Sequence, residues 1–346
     1  MAMTIADIAK IAGVSRATVS GVLNNSTTVS SKTKERILAI IEEHDYRPNE
    51  IARALALNQT GLIGLIVKDI SNPLYSQIAL GVEDVCGHEG LSVIMGNSHK
   101  EWNREIAHIN LLKRRRVDGL IIFPLQKGAD VGHIADLKKE KYPFVLLAEV
   151  PGIEADLVRA DDEVGAFQAT EHLINLGRKR IGYITGPQSA LANDRRLSGY
   201  RKALKKYGLV PHDEYVNRGG WRLQDGYKAG RKFLACKTEC PDAVFCYNDA
   251  VAIGLIRALV ENGVRVPDDV AVVGFDDAGV GAYLETGLTS VAQPAMEIGR
   301  RSAMRLVELI RSKGDLQKPK KVFLETHLVV RETCGANKKG SVRVQK

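Results

Sequence analysis

Polar side chains that could bind a ligand follow several short apolar runs of this sequence. Asn248 and Asp249 follow AVFCY, Asp276 and Asp277 follow VVGF, and Asp69 follows LIGLIVK. One such residue alone commonly caps the next helix, whereas several that converge on one cleft indicate ligand binding.

Two further side chains are suited to holding a ligand. Arg196, within NDRRLSGY, has a planar fork of donors for an anionic or multiply hydroxylated ligand, and a surface ion pair is its alternative role. Trp221, within GGWRLQDGY, is one of two tryptophans in the chain. An aromatic residue beside two glycines in a loop favours a stacking surface over a place in the core.

Motifs for catalysis or cofactor binding have little support here. The sequence contains no G-x-G-x-x-G after its first apolar run, no G-x-x-x-x-G-K-[ST], no H-E-x-x-H and no G-x-S-x-G. The eight histidines are scattered, and the five cysteines form no Cys-x-x-Cys pair. We therefore expect no catalytic residue, no metal and no cofactor.

Cysteine usage and the amino terminus both bear on location. An odd, scattered set of cysteines indicates a reducing compartment. The start MAMTIADIAKIAGVS lacks the basic segment and long apolar run of a signal peptide, and no 18 apolar residues occur together. We expect a cytoplasmic protein that does not span a membrane.

The net charge of +8 over 346 residues does not by itself indicate nucleic-acid binding. Residues 311–346 hold ten basic and three acidic residues, whereas residues 1–60 hold seven basic and six acidic residues. Most of the excess charge therefore lies in the carboxyl-terminal tail. Any DNA-binding role must rest on motif and geometry instead.

Residues 4 to about 47 predict three short helices. The first begins at Thr4-x-x-Asp7 and ends at Gly13, and the second can be capped by Ser15. The third begins near Ser30 and ends before Pro48. Two helices joined by Gly13-Val14-Ser15 have the dimensions of a helix-turn-helix. The residues that the third helix should bury are Ile37, Leu38, Ile40 and Ile41.

The rest of the chain predicts parallel sheets. Residues 49–60 form at most a marginal helix of about two turns, which needs partners because helix nucleation is costly. From residue 61 onward, continuous apolar runs alternate with amphipathic helical stretches, as in sheets covered by helices on both faces. The length favours two doubly wound subdomains with a ligand cleft at the carboxyl ends of their strands.

Long ordered motifs resemble one protein family. IADIAKIAGVSRATVSGVLNNSTTVSSKTKERILAIIEEHDYRPNEIARAL resembles the amino-terminal signature of the lactose-repressor (LacI/GalR) family of bacterial transcription regulators. The similarity continues through KDISNPLY, RRVDGLIIFP, HLINLGRKRIGYITGP, RLSGYRKAL, YNDAVAIGLIRAL, VPDDVAVVGFDD and LTSVAQP. It covers about residues 3–334 and is therefore highly specific.

The resemblance implies an N-terminal all-α helix-turn-helix headpiece plus an α/β core of two doubly wound parallel-sheet subdomains, as in periplasmic binding proteins. We expect the DNA-binding domain at 1–48, a hinge helix or linker at 49–60 and a basic flexible tail at 336–346. The first subdomain would comprise 61–160 and 291–321. The second would comprise 161–290 and 322–335.

The resemblance also implies a homodimer on a pseudo-palindromic double-stranded operator, with each second helix in a major groove. Arg16, Ala17 and Gly21 match the base-reading positions, and Arg16 suits a bidentate contact to guanine. Gly21 departs from the Arg or His often found there, so readout should fall mainly on Arg16. Helix capping is the alternative role for the hydroxyls among the expected DNA-backbone contacts, which are Thr4, Ser15, Thr18, Ser20, Asn24, Thr33 and Lys34.

In this family the linker helix folds on the operator and a leucine wedges into a central minor-groove step. Leu55 occupies that position, and Ala52 and Ala56 would permit close approach. The tail lacks the leucine heptads of tetrameric relatives, so we expect dimers.

Positions that bind the effector in relatives also carry over, and they imply a small molecule, most readily a sugar. A neutral polyol suits this set, because carboxylate and amide groups pair with hydroxyl groups and an aromatic face covers the C–H side of a sugar ring. Purine-responsive relatives have an Arg and a Thr where Ala190 and Ala192 stand here, which disfavours a purine. Whether the effector lowers or raises operator affinity is open. The effector-binding residues expected from the resemblance are Tyr75, Asn193, Arg196, Trp221, Asn248 and Asp276.

Three alternatives stay open at this point. The same scaffold could take a nucleobase or a sugar phosphate as corepressor. A solute-binding protein for transport shares the cleft, although it would need a signal peptide and no helix-turn-helix. A sugar-processing enzyme acting through Asp276 and Asp69 would need a specific separation of the two carboxylates.

Overall fold

A computed structural model describes residues 3–23, 29–46, 59–125, 131–188, 190–235, 240–312 and 318–336. The chain divides into two compact units, residues 1–61 and 62–346. The expected contacts Asn24, Ala52, Leu55 and Ala56 lie outside the described residues, as do most of the linker and residues 337–346. Each unit is described by itself below.

The first unit is a three-helix headpiece of α1 (Ile5–Ala12), α2 (Arg16–Leu23) and α3 (Ser31–Glu43). A reciprocal capping box starts α1, since the Asp7 N–H donates to the Thr4 hydroxyl and the Thr4 N–H donates to the Asp7 carboxylate at 3.0 Å. Gly13 ends the helix at φ +60°, a conformation that favours glycine.

The headpiece core is small and apolar. Ile8, Val19 and Ile37, one from each helix, are fully buried at its centre. Ile40 and Ile41 pack against this core, as expected. The expectation for Leu38 is wrong, because its side chain is 44% exposed. Residues 37, 40 and 41 share one helix face at i, i+3 and i+4, and residue 38 falls beside that stripe.

The second unit alternates strands and helices. Its strands are β1 (Leu62–Val67), β2 (Ser92–Asn97), β3 (Gly119–Ile122), β4 (Phe144–Leu146), β5 (Leu157–Ala160), β6 (Ile181–Ile184), β7 (Val216–Asn217), β8 (Ala243–Cys246), β9 (Ala271–Asp276), β10 (Thr289–Ala292), β11 (Lys321–Leu324) and β12 (His327–Val329). Its helices are α4 (Pro73–His88), α5 (Trp102–Arg114), α6 (Gly132–Lys139), α7 (Asp162–Asn175), α8 (Leu191–Lys206), α9 (Leu223–Leu234), α10 (Asp249–Glu261) and α11 (Ala295–Arg311).

The strands form two sheets of the same design. One sheet has the order β2-β1-β3-β4-β5-β11 and is parallel throughout. The other has the order β7-β6-β8-β9-β10-β12 and is parallel except for β12, which runs antiparallel to β10. We call the parts built on them lobe 1 and lobe 2. This architecture confirms the predicted fold class, and the strand order reverses at β1 and at β6, where doubly wound sheets bind ligands.

The chain passes between the lobes after β5, after β10 and after β11. The expected subdomain boundaries at 290/291 and 321/322 fall inside β10 and β11, so both need correction. All of β10 pairs with β9 in lobe 2, and all of β11 pairs with β5 in lobe 1. The sequence does not show to which sheet each segment belongs, because strand pairing alone decides it.

Continuous apolar strands follow from burial on both faces. In lobe 1, Ile63 and Leu65 pack on one face of the sheet, whereas Ile66, Leu120 and Ile122 pack on the other. Lobe 2 has the same two-layer arrangement. In the described part of the chain no helix combines the length and apolar character that crossing a membrane requires.

Glycines bring helix pairs into close contact at the lobe surfaces. A Cβ on Gly81 in α4 would lie 2.1 Å from the Met296 carbonyl oxygen in α11. One on Gly299 would lie equally close, at 2.1 Å, to a carbonyl oxygen of α4. Helices α9 and α10 meet in the same reciprocal way at Gly226 and Gly254, and these backbones can approach only because no side chain intervenes.

Candidate functional site

In the headpiece, α2 presents the residues expected to read bases. Arg16 and Ala17 are exposed at its start, and Gly21 is half-buried one turn later. Ala17 and Gly21 line a shallow groove together with Val29, Ser30 and Thr33. Gly21 contributes no side chain to this groove, and Arg16 is exposed at the start of the same helix.

Several hydroxyls expected at the DNA backbone also cap helices. The Ser15 hydroxyl accepts from the Thr18 N–H at 3.1 Å and lies 2.9 Å from the Thr18 hydroxyl. The Ser30 hydroxyl similarly accepts from the Thr33 N–H at 3.4 Å. Thr4 is the N-cap of α1. These side chains therefore have a structural role in addition to any DNA contact, whereas Ser20 and Lys34 are half-buried in their helices.

In the second unit, a cavity of about 640 Å³ lies between the carboxyl ends of the two sheets and is lined by both lobes. Such a volume suits a small molecule. The residues that line it as expected from the sequence are Tyr75, Arg196, Trp221, Asn248 and Asp276.

Asn193 does not line this cavity, and its expected place in the site is corrected. Its side chain is buried, and its amide oxygen accepts a hydrogen bond from the Gly186 N–H at 2.8 Å. Asn193 therefore supports the loop after β6 from the first turn of α8. Besides Arg196, this helix contributes Leu191, Ala192 and Arg195 to the lining of the cavity.

Asp276 ends β9 and is held by amides on two sides. Its carboxylate accepts from the Asn72 amide at 3.2 Å and from the Gln293 amide at 2.7 Å. Its φ of 104° lies in a region that side chains other than glycine rarely adopt, so neighbouring contacts must hold it. Burial raises the pKa of Asp276, while Arg196 and the two amides oppose that rise.

Arg196 is buried between carboxylates and an aromatic ring. Its Nε and Nη2 lie 2.9 Å and 2.8 Å from one Asp162 oxygen, and its Nη2 lies 3.8 Å from Asp276. Its guanidinium lies 3.6 Å from the centroid of the Phe275 ring. Burial opposes the charge, but the carboxylates outweigh burial and raise the pKa of Arg196.

Trp221 and Asn248 are hydrogen-bonded to each other in the wall of the cavity. The Asn248 amide donates to the Trp221 carbonyl at 3.1 Å, and its amide oxygen caps α10 by accepting from the Val251 N–H at 2.9 Å. The indole Nε1 is buried without a hydrogen-bond partner among the described residues. The Lys100 ammonium lies 4.0 Å from the indole ring centroid, so it covers part of the expected stacking surface.

An apolar wall completes the cavity. The buried Tyr75 packs edge-on against Phe123, with ring centroids 5.2 Å apart. Ala190 and Ala192 line the opposite side, as lobe 2 residues at the start of α8. The methyl side chains of these two alanines have no hydrogen-bond donor or acceptor.

Sequence reasoning missed most of the charged lining. The charged lining residues that the expected set lacks are Lys68, Lys100, Glu101, Arg159, Asp162 and Arg195. Lys68 directly follows β1, and this position beside the reversal point of the sheet was the usable signal. Asn72 and Gln293 were missed as well.

The remaining strand-end carboxylates do not line the cavity. Asp69 binds Ser71 and the Lys100 ammonium, the latter at 2.9 Å. Asp249 accepts from the Ala278 N–H and the Ser290 hydroxyl, both at 2.5 Å, and burial raises its pKa to about 8. These groups hold loops in place. Among the described residues, no group of three or more metal-ligating side chains is found.

A helix-turn-helix unit followed by a two-lobed α/β core with a ligand-sized cleft defines a ligand-responsive DNA-binding protein. Residues 4–49 match the family described as bacterial regulatory proteins, lacI family, and residues 170–334 match a periplasmic binding protein-like domain.

Two relatives cover almost the whole chain. The HTH-type transcriptional repressor PurR of Haemophilus influenzae (strain PittEE) is 32% identical over 331 residues, which are 95% of this chain and 98% of the relative. Catabolite control protein A of Priestia megaterium is 35% identical over 309 residues, which are 89% of this chain and 92% of the relative.

Solved structures agree with this relationship. The transcriptional regulator CelR in complex with cellobiose has a TM-score of 0.73 at 33% identity, over 96% of this chain and 99% of that one. The lac repressor dimer bound to operator and the anti-inducer ONPF has a TM-score of 0.84 at 29% identity, over 96% and 99%. The chain belongs to the lacI family of bacterial regulatory proteins.

The family relationship predicted from the sequence is thus confirmed. The chain is a DNA-binding transcription regulator of the repressor type, with an effector-binding domain of the periplasmic-binding-protein fold. It is not an enzyme, because its relatives over nearly its full length are transcription regulators. The same relatives exclude the alternative that the chain is a solute-binding protein for transport, because they are transcription regulators.

Proposed function

We propose that this regulator represses transcription from a pseudo-palindromic operator and that a sugar or sugar derivative in the interlobe cavity sets its operator affinity. The observation that carries the sugar assignment is the polar cluster at Asp276. There a buried carboxylate, two amides and the Arg196 guanidinium meet beside the aromatic residues Trp221 and Phe123. Such groups pair with sugar hydroxyls, and aromatic faces cover the apolar side of a sugar ring.

The wall at Ala190 and Ala192 supports a sugar over a nucleobase. A planar purine needs donors and acceptors at its edge, and the Cβ atoms of these residues supply none. The similarity to PurR keeps a nucleobase corepressor as the second candidate. Relatives seen with cellobiose and with ribose support the sugar.

On the DNA side we propose that two copies bind one operator, each placing α2 in a major groove. Arg16 reads a guanine, with Ala17 and Gly21 facing neighbouring bases. Thr4, Ser15, Thr18, Ser20, Asn24, Thr33 and Lys34 contact phosphates. The hinge residues Ala52, Leu55 and Ala56 enter the minor groove, and the regulator acts beside the chromosome in the cytoplasm.

The test begins with an operator selected from a random-sequence DNA library by the full-length protein. Calorimetry then measures the binding of glucose, galactose, ribose, cellobiose, the matching sugar acids and sugar phosphates, hypoxanthine and guanine. Anisotropy measures how each binder changes operator affinity. We expect one sugar class to bind and to shift operator affinity about 5- to 150-fold.

The variant Asp276→Ala should lose most of that binding, and Asp276→Asn keeps the shape of the site if the alanine variant folds poorly. Asp136→Ala, on the exposed surface of α6, is the matched control. Binding of hypoxanthine or guanine alone would favour the corepressor alternative. A protein that binds no member of the panel, or whose operator affinity no binder changes, would contradict the proposal.

A further inference from the structure

We infer that the effector carries a negative charge, as a carboxylate or a phosphate on its sugar, and that Lys68 of lobe 1 binds this group. This inference rests on the proposed function and narrows its ligand class. The observations that carry it are the distribution of charge between the two cavity walls and the surroundings of Lys68.

The two walls differ in charge. Among the described lining residues, lobe 1 contributes the cations Lys68, Lys100 and Arg159 against one carboxylate, Glu101. Glu101 lies 2.7 Å from Arg104, and its side chain is 56% exposed. Two of the three cations have a carboxylate partner outside the lining, since Lys100 pairs with Asp69 at 2.9 Å and Arg159 lies 3.5 Å from Glu149. Lys68 is therefore the lobe 1 cation that is left to attract an anionic ligand.

Lobe 2 is balanced. Its charged lining residues are Asp162, Arg195, Arg196 and Asp276, two of each sign. Asp162 and Arg196 already pair at 2.8 Å. Hydroxyl groups suit the lobe 2 wall, whereas an anionic group suits the lobe 1 wall.

Lys68 is the cation with the least compensation. Its ammonium lies 4.4 Å from the Phe123 ring centroid, between the ends of β1 and β3 at the reversal point of the sheet. Among the described residues no carboxylate lies within ion-pair distance of it and no hydrogen bond is made by it. An ammonium has three donors, and a site that leaves them unused in a cavity wall is built for an acceptor that arrives with the ligand.

Electrostatics around Lys68 agree with this role. Burial is the main cause that lowers its pKa to about 8; the carboxylates of Glu105 and Asp162 oppose this shift, and the nearby cations Lys100 and Arg196 add to it. A bound anion would reverse this effect by stabilising the ammonium form. The affinity for an anionic ligand should therefore fall as the pH rises through about 8.

A second cationic pair lies along the same cavity. Arg159 and Arg195 share one carboxylate, that of Glu149, with Arg159 Nη2 at 3.5 Å and Arg195 in direct contact. The Arg159 Nε is buried without a hydrogen-bond partner among the described residues. The two guanidiniums carry one charge more than their shared carboxylate, so they add to the attraction for an anion.

The experiment compares neutral and acidic forms of one sugar. Calorimetry with the full-length protein at pH 7 measures glucose, glucuronate and glucose 6-phosphate, the three galactose equivalents, and inorganic phosphate alone. We expect one acidic form to bind about 10- to 100-fold more tightly than its neutral parent, as charged hydrogen bonds do. Which acidic form binds distinguishes carboxylate from phosphate.

Substitutions at Lys68 give the second comparison. Lys68→Met should lose about 10- to 100-fold affinity for the acidic form. Lys68→Arg keeps the charge and should retain binding. Lys202→Met, at an exposed ion pair with Glu163, is the control that should leave ligand binding unchanged. Between pH 7 and 9 the affinity of the parent protein for the acidic sugar should fall. The affinity of the Lys68→Met protein should not show this fall.

The outcomes separate the two levels of the proposal. Equal affinity for neutral and acidic sugars, or full affinity of the Lys68→Met protein for the acid, would overturn the inference while the sugar-responsive function stands. Binding of inorganic phosphate without any sugar acid or sugar phosphate would also overturn it. Absence of binding across the whole panel would overturn the proposed function itself. If Lys68→Met does not fold, the affinity of Arg159→Gln for the acidic sugar and the pH dependence of that affinity in the parent protein test the inference instead.

Discussion

At the scale of the residue, Lys68 places a charge where folding alone would favour an apolar group. Burial lowers its pKa from the ordinary 10.5 to about 8, so its charged form lowers the free energy of unfolding at pH 7. We predict that Lys68→Met raises this free energy by about 1 to 3 kcal/mol, since one pKa unit corresponds to about 1.4 kcal/mol. Urea denaturation of the parent and variant at pH 7 measures the difference.

The same lysine predicts a pH dependence with a definite sign. Below pH 8 both folded and unfolded chains keep the lysine charged, so the full stabilising effect of Lys68→Met is present. Between pH 8 and 10.5 the unfolded chain binds more protons than the folded one, and the parent gains stability as the pH rises. The advantage of the methionine variant should shrink in this window. An advantage that stays constant to pH 10 would show that burial of charge is not its cause.

Arg16 gives the second prediction at the residue scale. It is exposed at the start of α2, and the neighbouring Ala17 and Gly21 offer no polar side chain. We predict that Arg16→Ala lowers the discrimination between operator and random DNA by about 1 to 3 kcal/mol, the value of one bidentate base contact. Competition binding measures this ratio. Lys10→Ala removes one exposed charge from α1, and as the control it should leave this ratio unchanged. An unchanged ratio in Arg16→Ala would remove it from base reading.

At the scale of the element, glycine determines how closely α4 and α11 pack. A Cβ on Gly81 would lie 2.1 Å from the Met296 carbonyl oxygen, whereas one on Gly87, later in α4, meets no atom within 4 Å. We predict that Gly81→Ala lowers the free energy of unfolding by about 1 to 3 kcal/mol through overpacking. Gly87→Ala should raise it by up to about 1 kcal/mol through helix propensity. Thermal and urea denaturation test both, and equal effects would show that the contact between helices is not limiting.

A residue that caps a lobe 1 helix also forms a hydrogen bond with a candidate ligand-binding residue of lobe 2. Asn72 caps α4 with its amide oxygen on the Leu74 N–H at 2.9 Å, and its amide nitrogen reaches Asp276 of lobe 2. The start of one lobe 1 helix is thereby joined directly to the candidate ligand group at the end of β9. A change in the distance between the lobes must break or reform this hydrogen bond, which is a physical link between ligand and lobe arrangement.

At the scale of the whole molecule, the proposed coupling between ligand and operator must be reciprocal. If the effector changes operator affinity by some factor, the operator changes effector affinity by the same factor, about 5- to 150-fold. We predict that calorimetry of the full-length protein with and without saturating operator gives that factor, with the sign found by anisotropy. A random DNA of equal length is the control. Equal effector affinity with both DNAs would mean that no coupling exists.

Much of the architecture followed from the sequence, because local chemistry encodes it. The capping pair Thr4 and Asp7, the αL position at Gly13 and the continuous apolar strands each act within a few neighbouring residues. The prediction for Leu38 is wrong because the buried face of α3 holds Ile37, Ile40 and Ile41, and Leu38 lies beside that face. The strand ends that could bind a ligand were also visible, since each follows its apolar run directly.

Residue patterns and motifs were enough to predict the headpiece, the two doubly wound sheets, the family and a cleft that includes Arg196 and Asp276. Three features became visible only in the folded chain: β11 belongs to lobe 1, Asn193 supports a loop, and Lys68 faces the cavity without a carboxylate partner among the described residues. The reason is physical. Strand pairing, and the partner that each charged group finds, join residues that are far apart in the chain, and no local pattern records them.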